Sequence, residues 1–161
     1  MTTLNGLPAH ALLVHFIVIL APLTAILAIL CAVWPAARQR LVWLVLGLAI
    51  ITVALTPLTT DAGEWLEHRV GRSPLLQSHA RLGDTMVYFA ISMLVAAVLL
   101  VVIHLRETRG RSVKPIATRI VAVVVIVLSV ATAVQVYRIG DSGAVATWSD
   151  RLADASANPG T

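Results

Sequence analysis

The sequence predicts an all-α integral membrane protein, a four-helix bundle with both termini on the extracytoplasmic side. Three observations lead there. The 161 residues are 58% hydrophobic and only 12% charged, with a mean hydropathy of +0.89, a balance that ordinary water-soluble domains do not reach. Four segments, about Ala11 to Trp34, Leu41 to Thr60, Thr85 to His104 and Ile116 to Val136, each approach the roughly 20 apolar residues that a bilayer-crossing helix needs. The basic residues gather in alternate connections between them.

The first helix is expected over about 8–34, with Pro8 in its first turn, where a missing N–H costs nothing. No Lys or Arg precedes its apolar run, and the run is longer than that of a signal peptide, so it is expected to stay in the protein. The second helix is expected over about 41–60. Pro22 and Pro57 interrupt these two spans and predict kinks, with Thr56, Thr59 and Thr60 at hand for the freed backbone groups. The long connection "DAGEWLEHRVGRSPLLQSHARLGD" (Asp61 to Asp84) predicts a short surface helix. In it Glu64 and His68 share a face, and Trp65 and Leu66 sit at headgroup level. Ser73 before Pro74 is a helix start, so the third helix is expected over about 74–105. The fourth is expected over about 116–138, completing one domain over 1–140. The polar segment 141–161 reads as a loosely ordered tail. No internal repeat stands out.

Orientation follows from charge. Arg38 and Arg40 lie in the first connection, and Arg106, Arg109, Arg111, Lys114 and Arg119 in or beside the third, so these two face the cytoplasm. Asp61, Glu64, Glu67, Asp84, Asp141, Asp150 and Asp154 then fall on the outer side, as expected of a multi-pass plasma-membrane protein. The net charge of +4 is thereby a topology signal and no nucleic-acid footprint. Cys31 is the single cysteine, which excludes an intrachain disulfide and a thiolate metal site.

Every helix brings polar groups to the outer rim: His10 and His15 from the first, Asp61 from the second, His79 from the third, and Tyr137, Arg138 and Asp141 from the fourth. Ionisable groups at membrane depth are expensive and so are candidates for function. Three chemistries compete. Two of His10, His15 and His79 would ligate one b-type haem from different helices. Alternatively, His10, His15, Asp61 and His79 would hold a divalent metal such as zinc or copper. In the third, the same groups pair with Arg81 and Arg138 and finish the helix ends with no ligand. Glu64, Asp84 and Arg138 support the rim in each case.

Height separates the haem pairs. His15 lies roughly 7 Å deeper than His10, and His79 about 9 Å above the apolar run that opens near Thr85, so His10 matches His79 better. His104 has no histidine partner near the cytoplasmic rim, which limits the count to one bis-histidine haem. His68 and His104 read as ordinary surface or interface residues. "GDSG" at Gly140 to Gly143 has the form of a protease nucleophile tetrapeptide, but it follows a membrane helix and lacks the rest of such a site.

The segments "LPAHALLVHFIVILAPL", "TPLTTDAGEWLE" and "SHARLGDTMVYF", with a Tyr- and Gly-containing segment after the fourth helix, resemble the membrane proteins called domain of unknown function 2231. The resemblance runs from Leu4 to about Trp148 and is most specific at His10 and His15, in a His-x-x-x-x-His-Phe arrangement. It implies four transmembrane helices, a distant relation to haem-carrying cytochrome b-like bundles, and association with redox modules such as Rieske domains. By position, His10, His15, Asp61 and His79 match the family's recurrent polar places. The chain departs from it after the fourth helix, where "YRIGDSGAV" stands in place of a histidine and closely spaced glycines.

The favoured reading is a redox-associated membrane subunit binding one b-type haem. The alternatives are a non-catalytic assembly or scaffold subunit and a divalent-metal-binding membrane protein. A transporter or channel ranks lower, because no mid-membrane charge appears. No independent enzymatic activity is expected. The expected partners are the lipid bilayer and a membrane redox complex or further copies of the chain.

Overall fold

The computed structural model describes residues 3–4, 7–70, 73–111 and 113–157, with side chains over 10–69, 73–111 and 113–149. Two strands of two residues each, β1 (Thr3–Leu4) and β2 (Leu7–Pro8), pair antiparallel before the helices begin. Five helices follow: α1 (Ala9–Val33), α2 (Pro35–Val70), α3 (Pro74–Asp84), α4 (Met86–Thr108) and α5 (Pro115–Ala157). Four helical segments are long and apolar enough to cross a membrane, with α3 and α4 counted together as one. The bilayer is therefore the solvent of their outward faces.

Prolines open three of the helices, at Pro35, Pro74 and Pro115, where the fixed φ suits the first turn. Trp34 alone links α1 to α2, its N–H donating to the Leu30 carbonyl at 2.9 Å while its own carbonyl accepts from Arg38 N–H at 3.0 Å. After α4 the chain turns at Gly110, whose φ of 66° lies in the left-handed region. There Arg111 N–H donates to Arg106 O and Gly110 N–H to Glu107 O, the paired closure that ends many helices on glycine. At the start of α3, Ser73 Oγ accepts from Leu76 N–H at 3.1 Å. Ser73→Ala is expected to cost about 1 kcal/mol, seen as faster amide exchange in the first turn of α3.

Three expectations change. The second helix does not stop near Thr60: α2 continues through the predicted surface helix to Val70, since nothing after Pro57 breaks the helical hydrogen bonds. Residues 141–157 form no loose tail but extend α5, because α3 packs along that extension. At about 1.5 Å per residue the 43-residue α5 is about 65 Å long, roughly twice the hydrocarbon thickness. Residues 158–161 of the expected tail, and the side chains of Asp150 and Asp154, lie outside the described residues. The expected third helix is divided at Thr85, where Gln135 of α5 donates to Leu82 O at 3.3 Å and to Thr85 Oγ at 2.7 Å. Thr85 Oγ itself donates to Leu82 O at 2.6 Å, so the buried amide joins a bond that already satisfies the freed carbonyl.

Pro22 and Pro57 lie inside continuous helices. The hydroxyls of Thr56, Thr59 and Thr60 donate to the carbonyls of Thr52, Leu55 and Thr56. None reaches Val53 O, the acceptor that Pro57 leaves without its helical donor.

The helices form a ring: α1 packs on α2 and α5, and α4 packs on α5 and α2. Small residues bring the backbones close, with Ala21, Ala25, Ala28, Ala90, Ala96 and Ala97 all buried, as is usual where no hydrophobic effect drives helices together in lipid. At the end away from His10 and His79, Arg38 is buried, 2% exposed, and bonds Glu107 at 2.8 Å and 3.2 Å and the Cys31 carbonyl at 3.0 Å. Sequence placed Arg38 among the loop charges; its guanidinium in fact ties α2 to α4.

Candidate functional site

The rim expected from the sequence exists at the other end of the bundle, but only part of the predicted set converges there. His10 on the first turn of α1 and His79 on α3 face one another, with ring centroids 6.5 Å apart and planes at 83°. His15 does not join them. It is exposed and bonds the Ala11 carbonyl one turn back, because five residues along a helix rotate a side chain by about 140°. Asp61 is exposed and does not line the cavity, whereas Glu64 and Asp84 stand at its wall. Arg138 points to solvent or lipid on α5. Among the described residues no three His, Cys, Asp or Glu side chains gather as a metal site, so the four-residue ligand set read from the sequence does not assemble. His104, expected to be bland, is buried with Nδ1 unpartnered and stands edge-on to Trp43.

Both imidazoles are fixed through the same nitrogen. His10 Nδ1–H donates to the Thr59 carbonyl at 2.9 Å. A carbonyl can only accept, so the proton sits on Nδ1 and the Nε2 lone pair is free. His79 Nδ1 meets Ser142 Oγ at 2.9 Å, and that hydroxyl spends its own proton on the Ile139 carbonyl at 2.9 Å. His79 is therefore the donor, and its Nε2 also carries the lone pair. A second-shell acceptor of this kind holds the tautomer and orientation of a metal-binding histidine.

Two glycines make room for the rings. A Cβ on Gly63 would stand 2.9 Å from His10 Cε1, and one on Gly143 would stand 3.0 Å from His79 Cε1. Any side chain there displaces an imidazole. The rings border a cavity of about 870 Å³, counted out to its open mouth, walled by Val14, Ile17, Leu76, Met86, Val136 and Ile139.

Comparison with known families now bears on the arrangement. The family described as Predicted membrane protein (DUF2231) matches residues 6–156.

The chain belongs to the DUF2231 family.

Searches of curated proteins and of solved structures each returned no match. The matched span takes in every element of the histidine pair, from His10 on α1 to Gly143 on α5. Within this DUF2231 chain, Thr59, Gly63, Ser142 and Gly143 are the site residues that sequence reasoning passed over. A signal was present for two of them. "GDSG" sits where glycines were sought after the fourth helix, and Gly63 follows Thr59 at one helical turn.

Proposed function

We propose that this protein is a multi-pass membrane haem carrier, a redox-associated subunit in which His10 and His79 ligate one b-type haem from opposite sides. The spacing of the two rings carries the reading. The rings come from different helices and stand 6.5 Å apart between centroids, which would leave room for one metal ion between them at the usual metal–imidazole bond length of about 2.0–2.1 Å.

The donor set supports the same choice. Imidazoles are ordinary protein ligands of haem iron, and His10 and His79 with free Nε2 lone pairs would hold it. When bound, the group supplies one-electron transfer. The chain's own residues do the rest: Thr59 O and Ser142 Oγ keep both Nδ1 atoms protonated, and Val14, Ile17, Leu76, Met86, Val136 and Ile139 give the cavity aliphatic surface for a flat apolar group. In this reading the histidine end lies outside the cytoplasm with both termini, and Arg40, Arg106, Arg109, Arg111 and Lys114 mark the cytoplasmic side of a plasma membrane.

The test is the absorption spectrum of the detergent-purified chain, oxidised and reduced, before and after haem is added, with elemental analysis of the same sample. A Soret band with split reduced bands is expected. A colourless, metal-free sample that takes up no haem would overturn the reading and favour an assembly subunit.

A further inference from the structure

The two half-sites are built alike, and the likeness extends through the bundle. In the first, Ala9-His10-Ala11 on α1 meets Asp61-Ala62-Gly63 on α2; in the second, Ser78-His79-Ala80 on α3 meets Asp141-Ser142-Gly143 on α5. In each, a glycine one turn beyond a residue with an imidazole or Ser142 at its carbonyl, Thr59 or Ile139, leaves the ring room to lie against the helix.

One constant offset carries His10 onto His79 and also maps buried Ala21, Ala28 and Cys31 onto buried Ala90, Ala97 and Leu100. A second offset carries Gly63 onto Gly143 and maps buried Val45, Ala49 and Thr52 onto buried Val125, Ser129 and Thr132. Thr52 and Thr132 each donate to a leucine carbonyl one turn back at 2.8 Å. The ring of helix contacts has the same symmetry, since exchanging α1 with α4 and α2 with α5 returns the same neighbours. The absence of a repeat expected from the sequence is thereby corrected. Only short motifs repeat in residue identity, while the repeat in burial needs the structure to be seen.

We infer that the chain is two copies of one helix hairpin about a pseudo-two-fold axis between His10 and His79, with Gly63, Gly143 and Ser142 as positioning residues of a two-sided imidazole clamp. The inference rests on the haem reading for its ligand, and on the apo geometry for the clamp itself. Between the half-sites the triplets differ at two small residues, Ala9 against Ser78 and Ala62 against Ser142, and of these Ser142 bonds an imidazole. Ser142 therefore makes the two imidazoles inequivalent: it supplies a hydroxyl acceptor where the first half uses the Thr59 carbonyl.

The test uses the full chain in detergent. With haem bound, Gly63→Ala and Gly143→Ala are each expected to weaken haem retention about 10–100-fold, the usual loss when the support of a metal ligand is disturbed. Ser142→Ala is expected to keep the haem and raise its midpoint potential, because the loss of an acceptor makes His79 a weaker base. Ala62→Ser is expected to leave both imidazoles ligating. Without haem, ¹⁵N spectra of labelled histidine are expected to show His10 and His79 protonated at Nδ1, with the preference of His79 lost in Ser142→Ala and kept in Ser142→Thr. A wild-type chain that binds haem while both glycine variants match it in retention would overturn the clamp and leave the haem reading standing. A wild-type chain that takes up no haem would sink the haem reading. The clamp would then be overturned if the tautomers are mixed, and upheld if both are fixed at Nδ1.

Discussion

His79→Ala and His10→Ala are each expected to abolish the low-spin haem spectrum, while His15→Ala leaves it intact. The three residues carry the same chemistry; rise per residue favoured His10 over His15 as the partner of His79, and the geometry separates them. His10 and His79 face each other across 6.5 Å, and His15 is turned outward to a carbonyl of its own helix. On the proposed haem reading, removing either facing imidazole would leave a single histidine to hold the group, and any haem retained is expected to become high-spin or to be lost on gel filtration. The drop in affinity is expected to exceed the roughly 10–100-fold that follows from losing a supporting partner alone. Reduced-minus-oxidised difference spectra on the three variants check the assignment. Loss in His15→Ala with retention in His10→Ala would reverse it.

The second large effect lies at the opposite end of the bundle. Glu107→Gln is expected to destabilise the protein by roughly 2–3 kcal/mol, less than the 3–5 kcal/mol typical when one partner of a fully buried pair is removed. The discount reflects a Glu107 side chain that is 35% exposed, against 2% for Arg38. Water can screen the carboxylate but reaches the guanidinium poorly, so the variant leaves a buried cation with no counter-charge. One of its two carboxylate acceptors is replaced by an NH2 donor, and only neutral acceptors are left, the amide oxygen of the new side chain and the Cys31 carbonyl. Replacing both residues with apolar ones of similar volume is expected to recover most of the loss. Thermal unfolding of the two variants in one detergent measures the difference, and an unchanged midpoint in Glu107→Gln would show that the pair contributes nothing.

The apolar spans were legible because periodicity and length are properties of the sequence itself, whereas for the histidines rise per residue gave only a preference for His10 beside His79 among three candidates. Matching His10 with His79 by height needed no contacts. Helix ends were less legible. "IGDSG" carries two glycines, each costing about 1 kcal/mol in a helix, and reads locally as a stop. The helix continues there because α3 packs along it and because Gly143 is filled by the His79 ring. Ser142 was set aside with the protease-like tetrapeptide, although its hydroxyl bridges His79 and Ile139. Arg38 looked like a loop charge because nothing in its neighbours announces Glu107, which is far along the chain. In each case the missing information was a partner from another helix.

The placement of the polar bonds makes the bundle a pair of forceps. The bonds that hold the imidazoles each stay within one hairpin, His10 to Thr59 and His79 to Ser142. The ion pair that joins the hairpins, Arg38 to Glu107, lies at the far end. Parting the jaws at the histidine end therefore breaks none of these bonds. On the haem reading, a flat ligand would be gripped between two hairpins that are each bonded within themselves, with the ion pair at the far end as the handle.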